Sequence, residues 1–417
     1  MDLDKTAKEL GKEGHQLIYD VCDVARFRLP GSEGEEQGQK FMEKKLKEFG
    51  ADEVETQHFD VYPRFFRWWP MLSFGFFLIS LFTFPYSPLL SMFLTIFMLV
   101  NVGLKLLSFQ FLDRIFKKKD SLNVIGKLKA NKVVNNELDK PKKIILFGGH
   151  TDSTYEFPLG AKYAMNMVYF YLAIVGAAGL WIITCLVISI MRGINGIPQF
   201  SWNLEWTWYY ITFIAITPII GLIVWNIVSG RPVPGANDNL SGVATVTGVL
   251  KYFSKNRPEN IELWTVCFGS EEGGMKGSKA LSQKIKKMQE KGDLPADEIW
   301  VINFDSVGAD GPLTIATAEP MYRVKSHDPE VYNALANACD KVGVKAELDK
   351  IEAGTDSAPF SRLEIPAVGV ICNGKEGTPA YWHCREDTPE NIDPKGLVHT
   401  IKCSIQLVLN EDKKLED

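Results

Sequence analysis

Five short clusters of acidic, histidine and amide residues stand out in this chain of 417 residues: His150-Thr151-Asp152, Asn237-Asp238-Asn239, Glu271-Glu272, Asp305 and His383. Three of them directly follow apolar runs, in ILFGGH, WTVCFGSEE and VINFD. Short apolar runs of this kind read as buried strands, and ligands of an open α/β sheet bind at the carboxyl ends of its strands. Carboxylates gathered there repel one another unless they hold cations or share protons. Imidazole and carboxylate together suit zinc. Singly, each motif is weak. A Glu-Glu pair also suits a helix start, where acidic residues favour the dipole, and an isolated His383 reads as a surface or capping residue. His15, His58, His327 and His399 stand outside such clusters and read as structural.

The elements that would position these residues alternate. Residues 3–27 and 34–49 read as helices and 53–62 as a strand. Strand signals at 123–128, 143–147, 261–268, 298–304 and 367–372 are interleaved with helical stretches at 240–254, 274–289, 329–342 and 394–409. The expected fold is α/β, a mostly parallel or mixed sheet sandwiched by helices.

Two hydrophobic blocks interrupt this pattern. No charge occurs in the 37 positions between Arg67 and Lys105, the 29 between Lys162 and Arg192, or the 25 between Glu205 and Arg231. A membrane-spanning helix needs ~20 apolar residues. Pro85-Tyr86-Ser87-Pro88 breaks the first block and 192–205 the second, which predicts two inserted transmembrane hairpins, 67–110 and 164–230. Segments 1–66, 111–163 and 231–417 then make up the α/β domain. Trp68, Trp69 and Tyr86 fall where an interfacial aromatic belt would sit. Burying so long an uncharged stretch inside a domain of this size is difficult, and the blocks lack the internal charges of a transport path.

Arg64, Arg67, Lys105, Arg114, Lys117, Lys118, Lys119, Lys162 and Arg231 flank the hairpins on the α/β side, against Arg192 alone on the other. The positive-inside rule predicts an integral membrane protein with the α/β domain in the cytoplasm. The polar N-terminus, read as carrying no signal peptide, and seven scattered cysteines without a CxxC pair agree. A net charge of −5 gives no reason to expect nucleic acid as a partner.

In order, HTDS, PGANDNLSG, GSEEGGMKGS, NFDSVG and a late histidine ahead of DTPENID resemble the di-zinc aminopeptidase family, which includes bacterial leucyl aminopeptidases and the peptidase domain of glutamate carboxypeptidase. The stretch RLPGSEGE at 28–35 resembles that family's entry segment. The resemblance implies a zinc-exopeptidase fold, a peptide substrate and two Zn2+ ions per chain. By it, His150 and Asp305 match the ligands of one zinc, Glu272 and His383 those of the other, and Asp238 the bridge. Glu271 matches the general base, which takes a proton from the metal-bridging water, and Asp152 the acid that orients His150. A free carboxylate beside a metal-bound one is chemically apt for that base. The family also implies a cis peptide at Asp238–Asn239.

There are departures. His150 and Asp238 are 88 positions apart, far more than in soluble relatives, and the excess is close to the length of the second block. GTDSAPF at 354–360 stands where relatives carry a Ser-Asp-His run, so Asp356 receives no role. Trp382 and Cys384 read as packing residues. A glutaminyl cyclase-like single-zinc acyltransferase is disfavoured by the presence of His150, and a silent membrane scaffold by the complete ligand set. About a dozen residues separate Asp152 from Ala164, and Gly230 lies eight positions before Asp238. At ~3.3–3.6 Å per residue, this tether predicts a site close to the lipid bilayer and hydrophobic peptides as substrates.

Overall fold

The computed structural model describes residues 2–106, 116–135, 140–201, 209–211, 214–215, 217–218, 229–352, 354–373 and 378–416. The apolar runs form the middle of one eight-stranded sheet. Its strands are β1 (Glu53–Val61), β2 (Lys119–Leu128), β3 (Lys143–His150), β4 (Ile261–Phe268), β5 (Glu298–Asp305), β6 (Leu313–Ala318), β7 (Ala346–Lys350) and β8 (Ala367–Cys372), in the order β1-β2-β4-β3-β5-β8-β6-β7. The central four, β4-β3-β5-β8, are parallel. β2 runs antiparallel to both β1 and β4, and β6 runs antiparallel to β8 and parallel to β7. Strands covered on both faces need apolar side chains on both. Along β3, accordingly, Ile145 and Phe147 enter one core while Ile144 and Leu146 enter the other.

One face of the sheet carries α1 (Leu3–Val24) and α2 (Glu33–Glu48), together with residues of three later helices: α6 (Gly242–Phe253), α8 (Pro329–Lys341) and α9 (Pro394–Glu416). The other is covered by α7 (Lys276–Lys291) and the turn at Ala358–Ser361. Local chemistry starts these helices. Asp2 caps α1, Ser32 caps α2 and Asp328 caps α8, each accepting from backbone N–H groups of the first turn. Gly149 allows β3 to lie on α6, since a Cβ there would come within 2.8 Å of the Gly242 backbone.

The expected mixed α/β sheet flanked by helices is present, with two more strands than the sequence suggests. β7, AELDK, is a largely exposed edge of five residues, and β6 is only six residues long.

The chain divides into two units: residues 1–63, 118–155 and 232–417 form the sheet unit, and 64–117 with 156–231 form the second. The second contains α3 (Pro63–Thr83) and α4 (Pro88–Leu106), joined through Pro85–Ser87, and the long helix α5 (Pro158–Ile194). Two transmembrane hairpins are expected from the sequence, and here the structure differs. Among the described residues only Val175–Ile194 is long and apolar enough to cross a membrane, and Met71–Thr83 and Pro88–Gly103 are shorter apolar helices. Most of the second block's return arm, together with Trp202 and Glu205, lies outside the described residues, as do Arg114 and the side chains of Trp68 and Trp69. Within this unit Ser80 Oγ lies 2.9 Å from Ser91 Oγ and 2.6 Å from Thr95 Oγ1, a hydroxyl cluster joining α3 to α4. Arg192 donates to the carbonyls of Pro85 (2.6 Å) and Tyr86 (3.0 Å).

Candidate metal centre

The four parallel strands end side by side, and the chain turns away from each through a polar loop. His150 is the last residue of β3, and Asp152 follows at once. Glu271 and Glu272 follow β4, and Asp305 ends β5. His383 lies on the loop after β8, and Asp238 lies in the turn Ala236–Ser241 ahead of α6. The sheet thus brings together all seven residues singled out in the sequence.

Asp238 is their centre. Its Oδ1 is 3.2 Å from His150 Nε2, and its Oδ2 is 3.2 Å from His383 Nε2. Asp305 Oδ2 is 3.6 Å from His150 Nε2, and Glu272 Oε1 is 3.2 Å from His383 Nε2. Two ligand groups result, His150–Asp238–Asp305 and Asp238–Glu272–His383, sharing one carboxylate. Zinc–ligand bonds of ~2.0–2.2 Å in a tetrahedron place ligand atoms roughly 3.3–3.6 Å apart, so the spacing suits such an ion. Buried polar atoms rarely lack partners, yet His150 Nε2 and Glu272 Oε1 make no hydrogen bond here. The residues fit zinc at both groups.

Glu271 points at the same place without belonging to either group. Its Oε2 is 3.9 Å from His150 Nε2. Asp152 holds it from behind: Oδ1 accepts from the Glu271 N–H and Oδ2 from the Glu272 N–H, each at 3.0 Å. Asp152 also faces His150, with Oδ1 3.5 Å and its carbonyl O 3.2 Å from His150 Nδ1. Asp152 therefore meets the histidine through its carbonyl and holds the Glu-Glu backbone through its carboxylate.

Burial alone would lower His150, but Asp152, Asp238 and Asp305 outweigh it and raise it well above the ordinary imidazole value. His383, likewise opposed by burial, is pushed up to about 10 by Glu272 and Asp238. Burial raises Glu271 well above the usual carboxylate range, against the charge of His150 and aided by Asp356, Glu272 and Asp305. Burial would also raise Asp238, but its two histidine partners hold it below the usual value.

Several neighbours were not legible as site residues. Asp387, of the DTPENID stretch, accepts from the N–H groups of Asn237 (2.5 Å) and Asp238 (3.2 Å), and burial pushes it up to about 8. Asn239 Oδ1 accepts from Gly242 and Ser306, tying the bridging turn to the end of β5, and the Asp238–Asn239 peptide is cis, as the resemblance implies. Asp356 is fully buried near His150, Asp152 and Asp305, pushed up to about 7 by burial, and neither of its oxygens accepts a hydrogen bond. The Ser278 hydroxyl lies beside it but donates to the Met275 carbonyl at 3.3 Å. Thr355 and Ser357, on either side of it, both donate to the buried Glu319 (2.8 and 2.9 Å), which orients that turn. Trp382 stacks on His383 at 4.2 Å, and Cys384 is one of seven free cysteines. His327 bonds Glu319 and Ser361, and His15 bonds the Pro389 carbonyl, consistent with structural roles.

A parallel-centred α/β sheet with these ligand groups at its carboxyl edge defines a zinc-exopeptidase-like protein. Residues 224–408 match the model of peptidase family M28, a stretch that holds Asp238, Glu271, Glu272, Asp305 and His383 and leaves His150 and Asp152 upstream. No curated protein matches the sequence. Among solved structures the chain resembles a leucine aminopeptidase precursor from Bacteroides thetaiotaomicron (15% identity, 96% of this chain and 97% of that one, TM-score 0.53). It also resembles an aminopeptidase from Aneurinibacillus sp. strain AM-1 (14% identity, 98% and 95%, TM-score 0.55). A glutaminyl cyclase from Bacteroides thetaiotaomicron, bound to N-acetylhistamine, is similar to the same degree (15% identity, 96% and 97%, TM-score 0.54). At these identities the likeness shows the fold. The M28 match and the zinc-exopeptidase fold support a zinc-dependent peptidase.

Proposed function

We propose that the chain is a membrane-associated exopeptidase, most simply an aminopeptidase, that works with two zinc ions. The observation carrying this reading is the division of Asp238, one oxygen toward His150 and the other toward His383, each at 3.2 Å. His150, Asp238 and Asp305 would hold one ion, and Asp238, Glu272 and His383 the other. Zinc bound there supplies Lewis acidity toward the scissile carbonyl and lowers the pKa of water. Glu271 takes the proton of the attacking water. As the C–N bond breaks, it returns that proton to the leaving amine. Asp152 keeps Glu271 and His150 in register through its bonds to both.

Membrane association is supported by the second unit. Val175–Ile194 is apolar and mostly uncovered, and Phe93, Leu180 and Ile183 are each more than half exposed. Apolar surface of this extent suits lipid or another apolar partner.

A second reading is favoured by the glutaminyl cyclase structures, which match this fold as well as the peptidases do. A cyclase would release ammonia from an amino-terminal glutamine, whereas an aminopeptidase would release the amino acid. The deciding experiment offers the zinc-loaded protein aminoacyl, dipeptide and glutaminyl-peptide substrates. Release of free amino acids supports the peptidase, and pyroglutamyl product with no hydrolysis supports the cyclase.

A further inference from the structure

The entry segment at 28–35 contributes no ligand, yet it reaches three of the loops that do. Arg28 is fully buried. Its Nε donates to the Thr151 carbonyl (2.6 Å), between His150 and Asp152, and its Nη2 donates to the carbonyls of Pro234 (2.7 Å) and Gly235 (3.2 Å), ahead of Asp238. Its backbone pairs with Ser153: the Arg28 N–H donates to Ser153 Oγ, and the Ser153 N–H to the Arg28 carbonyl, both at 3.0 Å.

Glu35 reaches the third loop. It stands in the first turn of α2, where its own N–H is capped by Ser32 Oγ at 3.2 Å. Its Oε1 accepts from the Ser270 N–H (2.6 Å) and from the Ser270 hydroxyl (2.8 Å), and its Oε2 accepts from the Gly31 N–H (2.6 Å). Ser270 adopts φ +51°, the left-handed region that non-glycine residues avoid, and the next residue is Glu271. The direction in which Glu271 leaves β4 depends on that backbone turn. Asp152 grips the loop at the N–H groups of 271 and 272, and Glu35 grips it at 270. The backbone N–H groups of Ser270 and Gly31 each point at one of its two oxygens, so an amide of the same size would set an N–H against one of them.

We propose that Glu35 is a positioning residue for Glu271: by holding left-handed Ser270, it aims the general base at the substrate's reaction centre. The inference rests on the peptidase reading and goes beyond it, because Glu35 touches neither a ligand group nor the base side chain.

The test is Glu35→Gln, which keeps size and replaces one acceptor with a donor facing an N–H. Losing such a support lowers activity by about 10- to 100-fold. The expected loss is in kcat, with KM, zinc content by metal analysis and the thermal midpoint close to wild type. In a Glu271→Gln background the same change should cost no further turnover, because Glu35 acts through Glu271. Undiminished kcat in Glu35→Gln overturns the inference. So does a loss that multiplies with that of Glu271→Gln, or one that tracks lost zinc. If Glu35→Gln does not fold, Ser270→Ala decides, since it removes the hydroxyl shared between Glu35 and Ser121 and keeps the backbone N–H. Reduced kcat at unchanged KM and zinc content supports the role, and wild-type kcat overturns it. A wild-type chain inactive on every substrate would remove the peptidase reading. An active wild type with an unaffected Glu35→Gln would remove only this inference.

Discussion

The Asp152 carboxylate accepts the Glu271 backbone N–H at 3.0 Å, so the same Asp152 that faces His150 also fixes the residue proposed to move the proton. This coupling predicts that Asp152→Asn is costly beyond its effect on His150. The amide would set an N–H donor against the N–H of Glu271 or Glu272. Activity should fall about 10- to 100-fold with weaker zinc affinity, read by steady-state kinetics and by titration against a chelator. Wild-type affinity and rate in Asp152→Asn would remove this role.

Glu271→Gln separates chemistry from binding. The variant keeps the side-chain shape and both ligand groups but cannot accept a proton. Turnover should drop about 10²- to 10⁴-fold while metal analysis returns the wild-type content. Near-normal turnover would mean that another group serves as base.

Zinc loading should release protons. The neighbouring carboxylates raise His150 well above its ordinary value and push His383 up to about 10, which favours the charged rings. A metal ligand must be the neutral ring. Calorimetric titration with zinc at pH 7, in buffers of different ionisation enthalpy, should show protons entering the buffer, and zinc should be lost as pH falls. The sign for the metal-free protein is opposite. The stabilising charge of His383 is fully present below its unfolded value near 6.5 and fades as pH rises toward about 10. Binding enthalpies that do not depend on buffer would contradict the assignment of these histidines.

How much of this was legible in the sequence follows from what each residue does. The convergence of His150, Glu271, Glu272 and Asp305 was legible because each ends or closely follows a continuous apolar run, and parallel strands of such runs end on one edge. The grip of Glu35 on Ser270, of Asp387 on the Asp238 turn and of Arg28 on three loop carbonyls was not. Those bonds join positions far apart in the chain, and their geometry exists only once the sheet has closed. β7 went unseen because an exposed edge needs no apolar face. The hydrophobic blocks were plain from their uncharged gaps, and among the described residues Val175–Ile194 is the one helix long and apolar enough to cross a membrane.

The second unit should make the protein behave as membrane-bound. The intact chain is expected to sediment with membranes after an alkaline wash and to need detergent for release. With Lys117, Lys118 and Lys119 and Arg231 flanking the apolar segments, the positive-inside rule predicts a cytoplasmic sheet unit if those segments span a membrane. External protease on right-side-out vesicles should therefore spare it, and its digestion would reverse the orientation. Replacing both blocks with short linkers tests their purpose. A version that folds, binds zinc and keeps the same substrate preference would show the blocks to be an anchor alone.

The central claim is a two-metal centre bridged by Asp238, and metal analysis of the zinc-loaded, chelator-washed protein tests it most directly. Two zinc ions per chain are expected, falling in His150→Ala as one ligand group is opened. A fully loaded wild-type protein that holds one zinc, or none, would contradict it.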